Sequence, residues 1–163
     1  MAIGIYAYNK INVKVKNGSI KKFLCAVMFD QDDQHGATFS SGHSIIKVKA
    51  LKNYAVGFWL KGDNCKVQKC QITKTGKSSL VGPCYGANMG IVLLEGANCK
   101  IQKNIIKSIY NPNEDLSTGI YIGANCTGAI VGNNQIQNSD LGLVFVEISG
   151  ASGEFKKIQP AKQ

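Results

Sequence analysis

The 163-residue chain contains no arginine, although 19 lysines face only 10 acidic residues and give a net charge of +9. Arginine makes the bidentate contacts that read bases and grip phosphates, so its absence disfavours nucleic acid as a partner. Only two histidines are present, and no cysteine pair has the CxxC spacing of a zinc site. The composition therefore predicts a basic protein that needs no cofactor and no structural metal.

Long apolar runs are also missing from the chain. No window holds 18 consecutive apolar residues, so no membrane-spanning helix is expected. No segment carries a sustained 3.6-residue apolar stripe, which excludes helical repeats. The N-terminal residues MAIGIYAYNK lack the basic and apolar regions of a secretory signal, which predicts either a cytoplasmic protein or an excised piece of a longer one.

What the chain does contain is a repeat. The stretch Gly90 to Ile106 reads GIVLLEGANCKIQKNII, and near-copies begin at Gly57 and Gly119. Looser copies begin at Gly4, Ala26 and Gly142. Repeats of this length predict a solenoid, in which stacked units share one core. Alternation of apolar and polar residues within each copy predicts short strands, and Asn or Gly between them predicts tight corners.

The repeat pattern "GI-x-L … N-x-I-x-x-N-x-I" resembles that of the pectin-lyase-like superfamily, and the resemblance covers residues 4 to 148. It implies an all-β, right-handed, single-stranded parallel β-helix, here of about five to six coils. We expect this domain over residues 1–148, followed by a polar tail over 149–163. A left-handed hexapeptide β-helix fits less well, because the steps between copies vary. The resemblance also implies that polysaccharide would bind along the sheet of opening strands.

One column of residues on that sheet is predicted to point outward. It consists of Tyr6, Met28, Trp59, Val92, Tyr121 and Val144. Aromatic rings can stack on sugars, so Tyr6, Trp59 and Tyr121 are candidate substrate-binding residues, with His43 on an adjacent excursion. A contiguous apolar patch equally marks a protein interface, which predicts a homo-oligomer. A third possibility is that the long excursions at 31–44, 73–89 and 107–118 fold over the column and bury it.

Charged residues next to this column are candidate catalytic groups. They are Asp30, Asp32, Asp33, His35, Lys61 and Glu95. A glycoside hydrolase needs two carboxylates, whereas a lyase needs a base and a cation, for which Ca²⁺ is the candidate. The segments DQDD and SGHS echo polygalacturonase motifs, but the arginine-containing motif is missing. The alternative is a structural charge ladder formed by Asp30, Lys61 and Glu95.

Lysines and cysteines also recur in step with the repeat. The lysines at 14 and 16, 47 and 49, 66 and 69, and 100 and 103 are predicted to form a basic stripe. Such a stripe favours a polyanion such as an acidic polysaccharide, or is simply a solvated face. Cys65, Cys99 and Cys126 each follow an Asn, which predicts a buried column of reduced thiols. The alternative is an oxidised pair, because neighbouring coils would bring such residues within disulfide range.

The sequence thus predicts a β-helix that binds acidic polysaccharide or self-associates, without catalysis. One alternative is a polysaccharide lyase or glycoside hydrolase acting on an acidic glycan. Another is a structural fragment of a larger fibre or tailspike-like assembly.

Overall fold

The computed structural model describes residues 2–32, 40–76, 88–110, 117–145 and 152–156, with backbone only for 145 and 152–156. These residues form fourteen strands. They are β1 (Ile5–Tyr8), β2 (Lys14–Lys21), β3 (Cys25–Asp30), β4 (Ser44–Leu51), β5 (Val56–Lys61), β6 (Lys66–Gln68), β7 (Gln71–Thr75), β8 (Met89–Ala97), β9 (Lys100–Gln102), β10 (Ile105–Ile109), β11 (Thr118–Gly132), β12 (Gln135–Gln137), β13 (Leu141–Phe145) and β14 (Ser152–Lys156).

All pairings between these strands are parallel, and they define three sheets that wind around one core. The first sheet stacks β1, β3, β5, β8, the start of β11, and β13. The second stacks the first halves of β2 and β4 with β6, β9, the end of β11, and β14. The third stacks the second halves of β2 and β4 with β7, β10 and β12. This arrangement confirms the predicted parallel β-helix.

The three corners between the sheets are made by residues with positive φ. The first corner, between the first and second sheets, holds Asn12, Gly42, Asn64, Asn98 and Gly128. The second corner, between the second and third sheets, holds Asn17, Lys47, Lys69, Lys103 and Asn133. The third corner, which returns to the first sheet, holds Lys22, Lys52, Lys74, Ser108 and Asn138. Asparagine was predicted at such corners; lysine was not.

The core is a stack of apolar side chains that also includes some polar ones. Phe29, Phe58 and Ile72 are fully buried, whereas Ile5, Ile20 and Leu143, which hold equivalent places on the end coils, are partly buried. Just inside the second corner, Asn104 Nδ2 donates to Asn134 Oδ1 at 2.9 Å and to the Val67 carbonyl at 3.1 Å. Asparagine can stand inside this core because its amide bonds to the coil on either side.

Two details of the predicted layout are wrong. Residues 152–156 pair with β11, so the solenoid extends past the predicted boundary at 148 into the supposed polar tail. Asn125 is not a corner residue either: β11 continues through it, and Gly128 turns the chain instead. Ala129 therefore follows the corner in that coil. Aligning the Asn-Cys pairs of the repeats had placed Cys126 there. The coil count differs slightly between sheets, since the third sheet has five described rungs and the other two have six.

No described residue belongs to a helix that is long and apolar enough to cross a membrane.

Candidate functional site

The outward column on the first sheet has the predicted register but not the predicted exposure. Tyr6 pairs with Met28, Met28 with Trp59, Trp59 with Val92, Val92 with Tyr121, and Tyr121 with Val144. However, Met28, Trp59 and Val92 are buried, and Trp59 is only 8% exposed. They form a second apolar cluster with Leu24, Cys25, Ala55 and Val56 from the segments that enter the sheet. The Trp59 ring is therefore not open for a sugar to stack on.

The exposed part of the column lies on the first coil. Tyr6 is 53% exposed, and its ring centroid lies 6.3 Å from that of its neighbour Tyr8. Partial burial, and then the nearby Asp30 carboxylate, raise the pKa of Tyr6, while Lys61 opposes them. Tyr121, in contrast, is half-buried against the second apolar cluster. Of the three predicted aromatic contacts, Tyr6 alone presents an open surface.

Three of the candidate catalytic residues form a network next to Tyr6. Lys61 Nζ lies 3.5 Å from Asp30 Oδ1, and both side chains are largely buried. Gln31, which the sequence did not single out, donates from Nε2 to Glu95 Oε1 at 2.7 Å and accepts from the Ser40 amide at 3.1 Å. Its own amide donates to Asp30 Oδ1. Each carboxylate thus has a fixed partner, Lys61 for Asp30 and Gln31 for Glu95. The pair of Asp30 and Lys61 is one that the alternative of a structural charge ladder predicted.

The remaining candidates are less closely grouped. Asp32 is exposed, and its amide donates to Asn9 Oδ1 at 3.0 Å. Asp33 and His35 lie outside the described residues, as do most residues of the excursions at 31–44, 73–89 and 107–118. Within the described ranges, no group of three or more His, Cys, Asp or Glu residues could hold a metal ion.

His43 occupies the interior of the solenoid and not the outer face. Its side chain is fully buried and stacks on Phe29, with ring centroids 4.4 Å apart. The Val13 amide donates to Nδ1 at 3.1 Å, so the proton must sit on Nε2, which donates to Ser40 Oγ at 2.6 Å. An imidazole held in this tautomer cannot accept the Ser40 proton. The pair is a structural contact, and His43 is out of reach of a ligand on the outer face.

The stability of the protein should depend on pH through this histidine. Burial lowers the pKa of His43, with a smaller opposing contribution from the Lys10 carbonyl. The unfolded chain therefore binds a proton more readily than the folded one, and stability is lost as pH falls below about 6.5. We expect His43→Val, which copies Val13 at the equivalent position, to flatten this loss. Urea unfolding at pH 7.5 and 5.5 would measure it, and equal losses in both proteins would contradict the assignment.

His43 shares its column with two of the cysteines. The residues that follow the first corner are Val13, His43, Cys65, Cys99 and Ala129. The carbonyl of each of the first four accepts from the amide that comes directly after the column residue of the next coil. The Cys65 amide donates to Cys99 Sγ at 3.3 Å. A hydrogen bond with Cys99, together with burial, raises the pKa of Cys65, and burial raises the pKa of Cys126 to about 12. Cys65, Cys70, Cys99 and Cys126 are free and buried, in agreement with the predicted core thiols, and Cys25 is buried as well.

Two of the corners carry rows of lysine, whereas the predicted basic stripe set Lys47, Lys69 and Lys103 on strands. Lys47, Lys69 and Lys103 form what we call the first lysine ridge, at the second corner. Lys22, Lys52 and Lys74 form the second lysine ridge, at the third corner. All six are exposed. Rungs of a parallel sheet lie about 4.8 Å apart, so each ridge sets three ammonium groups in register along the solenoid axis.

The outer face of the third sheet lies between the ridges. Its outward side chains are mainly polar, with Leu51 and Ile105 as the apolar ones. The polar ones are Ser19, Lys21, Lys49, Gln71, Thr73, Lys107, Gln135 and Gln137. None of the described residues on this face or its two corners is acidic. A groove of about 350 Å³ along the first ridge is lined by that ridge together with Val48, Lys49, Cys70, Gln71 and Ile105. Of the predicted basic stripe, Lys47, Lys69 and Lys103 therefore lie at the second corner and Lys49 lies on the third sheet. The other four lysines, Lys14, Lys16, Lys66 and Lys100, lie on the second sheet.

These observations define the class of the protein: a three-sheet parallel β-solenoid with a basic face between two lysine ridges. A family model described as the right-handed β-helix region matches residues 1–156. The chain therefore belongs to the right-handed β-helix family. Neither the search of curated proteins nor the search of solved structures found a match.

Proposed function

We propose that the protein binds acidic polysaccharide along the first lysine ridge and the outer face of the third sheet. The supporting observation is that lysine occupies six corner positions where the backbone is left-handed. Such a conformation costs an L-residue other than Asn or Gly about 1–2 kcal/mol. Equivalent corners of the same solenoid use Asn17, Asn133 and Asn138, which adopt it more easily. The fold does not need lysine at these corners, so the positive charge is the property that lysine adds there.

Charge spacing along the ridge supports the same proposal. Two ammonium groups about 4.8 Å apart repel by roughly 0.9 kcal/mol even in water. No described carboxylate lies on this face to relieve that repulsion. A linear polyanion laid along the solenoid axis would place one negative group after another beside the ridge, and would neutralise it rung by rung.

The residues that line the groove beside the ridge are also suited to contact a sugar polymer. Ile105 is apolar and 37% exposed, whereas Gln71 offers an amide to hydroxyl groups. The side chains of Val48 and Cys70 are buried inside the solenoid. The aliphatic stems of Lys47, Lys69 and Lys103 add further apolar surface below the charged ends. A sugar ring has apolar faces and a polar edge, so this mixture can contact both. The family fits carbohydrate-related β-helix proteins in general, which agrees with this choice of polyanion.

The proposal is tested by titrating the protein with polygalacturonate oligomers at several salt concentrations. We expect saturable binding whose affinity falls steadily as salt increases, because each bound carboxylate releases counterions. Neutral oligosaccharides of the same length should not bind. Failure to bind any acidic polysaccharide at low salt would refute the proposal, as would an affinity that is independent of salt.

A further inference from the structure

Both ends of the first and second sheets carry strand edges that have no partner among the described residues. At one end, the β1 end, β1 pairs only with β3 and β2 pairs only with β4. At the other end, the β13 end, β13 and β14 pair only with β11. An open strand edge is a template for pairing with another chain, so each end can accept a further rung.

A column of glycines on the first sheet shows where a following rung comes close. A Cβ at four of these glycines would lie 2.4–2.6 Å from the carbonyl oxygen of the column residue on the next rung. The four are Gly4, Gly57, Gly90 and Gly119. Gly142 continues the column on β13, yet a Cβ there meets no described atom within 4 Å. Glycine weakens a strand interior unless another backbone approaches it closely, so Gly142 is suited to a further rung stacked on β13.

The inward side chains on the end rungs are only partly covered. Ile5 on β1 and Leu143 on β13 are partly buried, whereas their partners on the neighbouring rungs, Val27 and Ile120, are fully buried. These four side chains belong to a single column that runs through the core. If β1 of a second copy stacked on β13, its Ile5 would continue the column after Leu143 and both side chains would be covered.

The two ends also carry complementary charge in one column of the second sheet. From the first rung to the last, this column reads Lys14, Ser44, Lys66, Lys100, Ile130 and Glu154. A second copy stacked in the same direction would bring its Lys14 beside Glu154, and opposite charges at neighbouring positions of a sheet attract. A copy turned end for end would instead set two β1 ends against each other, where residues 2–22 hold five lysines and no acidic residue.

We propose that the protein associates head to tail with further copies of itself. The β1 end of one copy would stack on the β13 end of the next, so that β1 continues the first sheet after β13 and β2 continues the second sheet after β14. The two surfaces in this contact are different, and every added copy presents a new open end. The contact therefore repeats along the solenoid axis and gives assemblies of increasing length, not a closed dimer.

The experiment is sedimentation velocity over a wide range of protein concentration, up to about 1 mM. We expect the mean mass to rise continuously with concentration. Gly142→Ala should weaken the association about tenfold, because its methyl group would meet the incoming strand as a methyl group at Gly90 would meet Gly119. Urea unfolding of the same samples at low concentration establishes that the variant is folded.

Reversing the charge of Lys14 tests the direction of stacking. Lys14→Glu lowers the net charge of +9 by two, so weaker general repulsion would strengthen association of any kind. The proposed contact predicts the opposite, an association about fivefold weaker, because the new carboxylate would lie beside Glu154. Combining Lys14→Glu with Glu154→Lys keeps the wild-type net charge, restores an opposite pair across the contact, and should restore the association.

Any of four results would overturn the inference. The protein could remain a monomer up to about 1 mM, or its mass could reach a plateau at that of a dimer, which would indicate a two-fold contact. Gly142→Ala could associate as strongly as the wild type, or the double charge variant could remain as weak as Lys14→Glu. None of these results bears on polysaccharide binding, which is proposed for the third sheet and the first ridge.

Discussion

Replacing Lys47, Lys69 and Lys103 together by asparagine is expected to weaken the binding of polygalacturonate about thirtyfold or more, with no loss of stability. Each ammonium group facing a polyanion contributes up to about 1 kcal/mol, so three should contribute about 2–3 kcal/mol. The free energy of unfolding should stay the same or increase, because asparagine tolerates the left-handed backbone of these corners better than lysine does. Calorimetry and urea unfolding of the same samples measure the two effects.

A control variant separates the ridge from net charge. The triple variant Lys10→Asn, Lys157→Asn and Lys162→Asn also removes three positive charges, but from lysines that belong to neither ridge. This variant should lose much less affinity than the ridge variant. Equal losses would mean that the protein attracts polyanions only through its overall charge. A large fall in stability of the ridge variant would mean that the lysines serve the fold, contrary to the argument from backbone conformation.

Gly90→Ala is expected to destabilise the protein by about 3 kcal/mol, at the upper end of the cost of overpacking. A methyl group at Gly90 would lie 2.5 Å from the Gly119 carbonyl oxygen and 2.8 Å from Ile106 Cγ2. Both of these atoms belong to stacked strands of the solenoid, so the clash with the methyl group can be relieved only if the backbone of a strand shifts. Ala26 holds the equivalent place on an earlier coil, which indicates that the solenoid can make such a shift and still fold. Urea unfolding would show a lower midpoint with an unchanged slope.

The matched control is Gly142→Ala, in the same column on β13. A methyl group there meets no atom within 4 Å among the described residues. The change should therefore alter stability by no more than about 0.5 kcal/mol. Similar effects at Gly90 and Gly142 would show that the close approach of the stacked backbones is not what excludes a side chain at Gly90.

The sequence was sufficient to predict the register of the first sheet. Alternation places every second residue of a strand on one face, so pairing Tyr6 with Met28 and Met28 with Trp59 follows from aligning the repeats. Alternation does not reveal what packs on the outer side. Trp59 is buried there by residues such as Leu24 and Val56, which come from the segments before β3 and at the start of β5.

The lysine ridges and the position of His43 could not be predicted from local patterns. Lysine is not a residue that favours the left-handed conformation, so its presence at a corner gives no local signal. His43 lies far from Cys65 and Cys99 in the chain, and only the stacking of coils sets it in their column.

The placement of charge around the solenoid has a consequence for how the protein meets its partners. The described acidic side chains near the first sheet and its corners include Asp30, Asp63 and Glu95, whereas the described charged residues of the third sheet and its two ridges are all lysines. Lys14, Lys66 and Lys100 add positive charge on the second sheet. This separation gives the described part of the chain an electric dipole that lies across the solenoid axis. An approaching polyanion would therefore turn the protein until the third sheet faces it, before any contact forms. The rate of encounter, and not only the strength of binding, is set by which side of the coil each charge occupies.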